Sequence, residues 1–210
     1  MAAVHVFLIR HGETALNAAG VLRGQLDVPL DATGEAEAVA LGEVFRGVPL
    51  SAVVSSPLRR AAGTASRVAS ASGALVTIDD RLRDRFYGEW AGHSLEQVEG
   101  LFGSIDSAPL VEAWQLLEAR AEEAFCDAID AVKADGAAAA SVEGGVALVT
   151  HDAVLRALLM RLVPALGSAK LHLPTGSWSE LVPASGGMQW RPVRLGELPA
   201  SGCRPAPGLG

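Results

Sequence analysis

Cysteine is nearly missing from this chain: two in 210 residues, Cys126 and Cys203. That leaves no disulfide framework and no zinc-type spacing, and it makes a reducing cytoplasm the expected compartment. Long apolar runs are missing too. The first, Val4 to Ile9, is interrupted by His5 and stopped by Arg10. It is too short for a signal-peptide core or a membrane span, so no membrane association is expected. Positive charge is in deficit, with 17 Lys and Arg against 24 Asp and Glu, for a formal net charge of -7. A nucleic-acid or anionic-membrane surface needs a broad basic patch, so neither is an expected partner. An anionic ligand would have to be held by local arginines against the overall field. No internal repeat and no purely polar linker divides the chain.

What is present fits one globular domain. Half the residues are apolar and a fifth are charged, enough for a full core. The expected boundaries are residues 1–195 for the domain and 196–210 for a loosely held tail rich in Gly, Pro and Ala. Short buried-strand patterns at 4–9, 52–55, 75–78 and 146–150 alternate with helical patterns beginning at Thr33, at Pro57 and near Asp152. That alternation predicts a parallel sheet with crossover helices. Ser94 with Gln97 reads as a capping box. A long helix is expected from Leu110 to Lys133, with Trp114, Leu117, Ala121, Phe125, Ala128 and Val132 on its core face. A Gly-, Ala- and Ser-rich surface loop is expected over 135–145. Residues 177–182 and 188–193 read as a terminal hairpin.

Two of the strands end in chemistry. The first runs into Arg10-His11-Gly12-Glu13-Thr14, where Gly12 lets the backbone turn and a ligand come close. The later one, from Val146, runs into His151. In open α/β sheets ligands bind beyond the carboxyl ends of the strands. If both strands are central, the two imidazoles face each other beside arginines, an arrangement suited to an anionic tetrahedral group.

These motifs resemble the histidine phosphatase superfamily, also called phosphoglycerate mutase-like. They are Arg10 to Thr14 with Asn17 and Leu26-Asp27-Val28-Pro29-Leu30; Ser55 to Ala61 with Thr64-Ala65; Leu82 to Gly92; and Val149-Thr150-His151. They occur in the family's order across residues 4–182. The resemblance implies a three-layer α/β/α sandwich with a mostly parallel central sheet. It implies phosphoryl transfer with neither metal nor cofactor. His11 matches the nucleophile, Arg10 and Arg60 the arginines that clamp the phosphoryl oxygens, His151 the second phosphate-pocket His, and Asn17 a polar residue reaching the same group. Arg59 falls one residue out of register and is expected at the surface.

The proton donor is open between two acids. Asp84 stands where the family commonly has Glu, on a stem one methylene shorter, and Glu89 is the other candidate. Val21, Gly63, Asp152 and the segment Leu110 to Trp114 also depart from the family's usual residues. They border the substrate pocket in the family, so the chemistry transfers better than the substrate does. The expected activity is phosphomonoester hydrolysis on a small phosphorylated metabolite. A mutase is the first rival, although this chain lacks the long insertions that enclose a bisphosphate. A catalytically weak phosphate-binding regulatory module is the second rival. A zinc site on His11 and His151 lacks a third ligand. The oligomeric state is open, with a homodimer among the options.

Overall fold

A computed structural model describes residues 4–138, 144–167, 171–184 and 189–199. Its centre is a six-stranded sheet in the order β3-β2-β4-β1-β5-β6. β1 (Val6–Arg10) lies parallel to β4 (Gly145–Thr150), with Arg10 level with Thr150. β2 (Leu50–Ser55) runs parallel to β4 on its other side and to β3 (Val76–Ile78). β5 (Trp178–Pro183) and β6 (Trp190–Glu197) close the far side as an antiparallel pair.

Alternation along β1 assigns the layers, because successive strand side chains point to opposite faces. Phe7 and Ile9 pack with Leu41, Phe45, Ala61 and Val68 of α2 (Ala32–Phe45) and α3 (Arg59–Ser72). Val6 and Leu8 pack with Leu117, Phe125, Leu155 and Leu158 of α5 (Trp114–Ala138) and α6 (Asp152–Leu162). The result is the expected three-layer α/β/α sandwich with a mostly parallel sheet. β1 and β4 are buried on both faces, which is why they read as continuous apolar runs. Two short helices complete the set: α1 (Ala15–Ala18), capped by Thr14, and α4 (Leu95–Phe102), with the Ser94–Gln97 capping box in place.

Several boundaries move. α3 starts two residues after Pro57, with Leu58 at its N-cap. α5 begins at Trp114, because Leu110 takes a left-handed conformation (φ 62°) that a helix cannot contain. It continues to Ala138, so the loop expected from 135 begins later, and residues 139–143 lie outside the described set. β6 takes in Gly196 and Glu197, the first two residues assigned to the tail. Gly196 N–H donates to Ser179 Oγ at 3.0 Å. The tail from 200 and the hairpin tip at 185–188 lie outside the described residues. Among the described residues no helix is long and apolar enough to cross a membrane.

Candidate active site

The site forms where β1, β2 and β4 end side by side. The ladder continues one residue past each strand: His11 N–H donates to Thr150 O, and Ser56 N–H to Val149 O, both at 3.0 Å. Both histidines are fully buried, and their ring centroids stand 5.0 Å apart. The two imidazoles at the strand ends therefore stand side by side, close enough to contact one small group.

Each ring is held in a definite orientation. His11 Nδ1 lies 2.7 Å from the carbonyl of Gly12, so it carries the proton and leaves Nε2 as the basic nitrogen. Arg60 Nε–H donates to that Nε2 at 3.2 Å. His151 Nε2 lies 2.9 Å from Ser56 Oγ. Ser56 Oγ also accepts from Leu58 N–H, and where its hydroxyl donates to the ring the proton of His151 resides on Nδ1. Burial pushes both imidazoles well below their ordinary pKa, and the Arg60 charge pushes the same way. Both are neutral near pH 7, the form a nucleophile requires.

The arginines are fixed from different elements. Arg60, at the start of α3, is completely buried. Its terminal nitrogens donate to Leu26 O and Gly24 O, each at 2.8 Å, and to Asp84 Oδ2 at 3.2 Å. Arg10, at the end of β1, donates to Leu173 O and lies 3.5 Å from Asp152. Arg59 is exposed, as expected. Gly12 also makes room for a neighbouring helix. A Cβ there would lie 2.4 Å from Gly34 O, so its smallness admits the N-terminal turn of α2 against the motif. Asn17 has its side-chain oxygen taken up by Thr14, accepting from its N–H at 3.1 Å and its hydroxyl at 2.7 Å.

Asp84 is brought to the two histidines by a loop that the fold ties down at several points. Thr150 Oγ1 donates to Leu82 O, and Arg120 of α5 donates to Arg83 O and Asp84 O at 2.7 and 3.1 Å. Asp84 Oδ2 lies 4.0 Å from His151 Nδ1. Burial raises the Asp84 pKa, outweighing the opposing pull of Arg60 and Arg23. Glu89 is exposed in a short 3₁₀ turn (Gly88–Trp90).

Next to this group opens a cavity of about 190 Å³, lined by Gly20, Val21, Leu22, Arg23, Asp84, Tyr87, Asp152 and Ala153. Asp84 is the residue that the histidine cluster and the cavity share. Arg23, Tyr87, Ser56 and Arg120 have no assigned role in the sequence reading. Arg23 leaves one local signal, a single cation between Gly20 and Gly24 in the loop from Asn17 to Asp27. Arg120 leaves none, because an Arg on a helix normally marks a solvated face.

Two neutral histidines, the buried Arg60, the half-buried Arg10 and a carboxyl that burial pushes toward its acid form at the strand ends of such a sheet suit phosphoryl transfer. The comparisons agree. The family model "Histidine phosphatase superfamily (branch 1)" matches residues 6–196. A glucosyl-3-phosphoglycerate phosphatase of Mycobacterium tuberculosis is 30% identical over 202 residues, covering 90% of this chain and 82% of the relative. The solved structure of a mycobacterial glucosyl-3-phosphoglycerate phosphatase superposes with a TM-score of 0.78 at 28% identity, over 92% of this chain and 99% of that one. A phosphoglycerate mutase from Bacillus anthracis shares the fold, with a TM-score of 0.77 at 22% identity over 93% and 94% of the two chains. This chain belongs to the histidine phosphatase superfamily, branch 1. Within it, the chain is an enzyme of the phosphatase kind, a phosphoric monoester hydrolase.

Proposed function

We propose that this hydrolase cleaves a small phosphorylated metabolite through a phosphohistidine on His11, without a metal, and that Asp84 is its proton donor. One observation carries the reading. Of the four buried side-chain nitrogen or oxygen atoms without a hydrogen-bond partner among the described residues, three surround this site: Arg10 Nε, Arg23 Nε and His151 Nδ1. Unmatched buried donors are costly. An anion with several acceptor oxygens satisfies them together.

His11 Nε2 attacks phosphorus, and the P–O bond to the leaving group breaks as the P–N bond forms. A phosphoryl oxygen is a stronger acceptor than a neutral imidazole nitrogen, so Arg60 Nε–H passes from His11 to the phosphoryl group. Arg10 and His151 Nδ1–H hold the remaining oxygens, and the Asn17 amide reaches the same group. Asp84 gives its proton to the leaving oxygen. Water then attacks the phosphohistidine and returns a proton to the Asp84 carboxylate, releasing inorganic phosphate and neutral His11. Only the short span from Gly103 to Ala113 separates α4 from α5, so no long insertion shields the phosphohistidine. Water therefore competes well, which favours hydrolysis over mutase transfer. The reading includes a cytoplasmic setting, in keeping with the free Cys126. It also includes a homodimer joined along β3.

The test is turnover on a panel of phosphomonoesters that includes glucosyl-3-phosphoglycerate, the substrate named for the mycobacterial relative. His11→Ala abolishes both turnover and acid-labile phosphate labelling. Asp84→Asn slows an alkyl phosphate by about 10²–10⁴-fold and an activated aryl phosphate much less. Full activity of His11→Ala would refute the phosphohistidine. Equal losses on both esters for Asp84→Asn would remove the donor role, and a leaving-group-dependent loss confined to Glu89→Gln would transfer it to Glu89.

A further inference from the structure

An aspartate side chain is short, so the place of the Asp84 carboxyl follows from the backbone beneath it. That backbone is gripped on both flanks. Arg120 of α5 donates to the carbonyls of Arg81, Arg83 and Asp84. On the other flank, Phe86 N–H donates to Glu112 Oε2 at 3.1 Å, and Glu112 N–H donates to Phe86 O at 2.8 Å. The Glu112 carbonyl also accepts from the Arg85 guanidinium, at 2.9 Å from Nε and 2.7 Å from NH2.

Glu112 joins the two grips. Its Oε1 accepts from Arg120 Nε at 2.7 Å and its Oε2 from NH2 at 2.9 Å. This two-point pairing fixes the plane of the guanidinium and aims its remaining N–H groups at the loop carbonyls. Both side chains are mostly buried, 14% exposed for Glu112 and 19% for Arg120. Without Glu112 the Arg120 charge would be left poorly solvated and free to turn. A strained turn presents Glu112. Leu110, just before it, has φ 62°, a costly conformation for a branched side chain. Trp90 Nε1–H, donating to Pro109 O at 2.9 Å, holds one side of that turn, and the Phe86 pairing holds the other.

We propose that Glu112 is a positioning residue for proton donation: through Arg120 and Phe86 it keeps Asp84 where its proton reaches the leaving oxygen. The inference rests on the donor role proposed for Asp84. Among the described residues, Glu112 hydrogen-bonds to none of His11, His151, Arg10 and Arg60, so it reaches the chemistry only through the acid loop. A donor must stand ~2.6–3.2 Å from the oxygen it protonates, and a misplacement of ~1 Å costs up to ~10²-fold.

The experiment measures kcat/KM on glycerol 3-phosphate, whose alkoxide is a poor leaving group, and on para-nitrophenyl phosphate, whose leaving group departs without a proton. Glu112→Ala is expected to slow the alkyl ester by about 10–100-fold and the aryl ester by less than about threefold. Inhibition by inorganic phosphate is expected to stay within about twofold, since the groups that hold the phosphoryl oxygens are untouched. Glu112→Gln keeps the shape and loses the charge. It is expected to show a smaller loss with the same dependence on leaving group, and it carries the test if Glu112→Ala does not fold. In an Asp84→Asn background, Glu112→Ala is expected to add nothing on the alkyl ester, because two residues acting through one proton are not additive. The proposal is overturned if the Glu112 variants slow both esters equally, or if Glu112→Ala adds its full loss to that of Asp84→Asn. If Asp84→Asn alone is selective for the alkyl ester and the Glu112 variants are not, the donor reading stands and only the role of Glu112 falls. If Asp84→Asn slows both esters equally, the donor reading falls and takes this one with it.

Discussion

At the scale of single residues, burial governs how the site titrates. His11 and His151 are kept neutral by burial, and Asp84 is pushed toward its acid form by burial. These shifts bear on stability with opposite signs. A depressed His pKa gives stability that is full above the unfolded value of ~6.5 and is lost as pH falls below it. A raised Asp pKa gives stability that is full below ~3.9 and is lost as pH rises through the folded value. Between about pH 7 and 5 the two histidines therefore oppose the single carboxyl, and the melting temperature falls with pH. His151→Gln removes one titrating group and flattens that slope by about 3–6 °C per pH unit, given ~1.4 kcal/mol per proton per pH unit and ~2–4 °C per kcal/mol. Thermal melts of both proteins across the range check this, and an identical slope in the variant would sink it.

At the scale of elements, the first motif is fixed by how closely α2 packs against it. A Cβ at Gly34 would stand 2.0 Å from Glu13 O and 2.6 Å from Glu13 N, both backbone atoms that cannot swing away. Glu13 N–H also donates to Glu37 on the same helix at 2.7 Å. Gly34→Ala is expected to cost about 3 kcal/mol or more and to reduce turnover, because relief of the clash displaces the loop that follows His11. Gly100, in α4, has nothing within 4 Å of an added Cβ. Gly100→Ala is expected to gain about 0.4–1 kcal/mol. Urea midpoints of the two variants make the comparison, and a Gly34→Ala protein as stable as the parent would show that the contact can relax. The Asp84 loop is the second case. Its carbonyls are gathered by Arg120, which also binds Glu112 through two nitrogens, so α5 determines where the acid stands.

At the scale of the whole molecule, the two edges of the sheet differ. β6 carries Arg191, Pro192 and Arg194, residues that discourage pairing with another strand. β3 carries Val76, Thr77 and Ile78, all exposed, and follows Leu75, which is 82% exposed. An uncharged edge of this kind is self-complementary about a two-fold axis. Light scattering at about 10–100 μM is expected to give a dimer, and Val76→Lys a monomer with the same melting profile at low concentration. A monomeric parent protein over that range would exclude the homodimer. By itself, the sequence determined the three-layer fold, the two central strands and the residues His11, Arg10, Arg60, His151 and Asp84 as candidates. Buried parallel strands leave unbroken apolar runs, and reactive side chains at strand ends stand out against them. Tertiary structure alone decided what those residues do to one another. It set the tautomer of His11, the burial that neutralises both rings, and the anchoring of Asp84 by Arg120 from 36 positions away. It also placed Arg23 against Asp84. Those relations depend on distance through space and exclusion of water, and neither is written in local periodicity or composition.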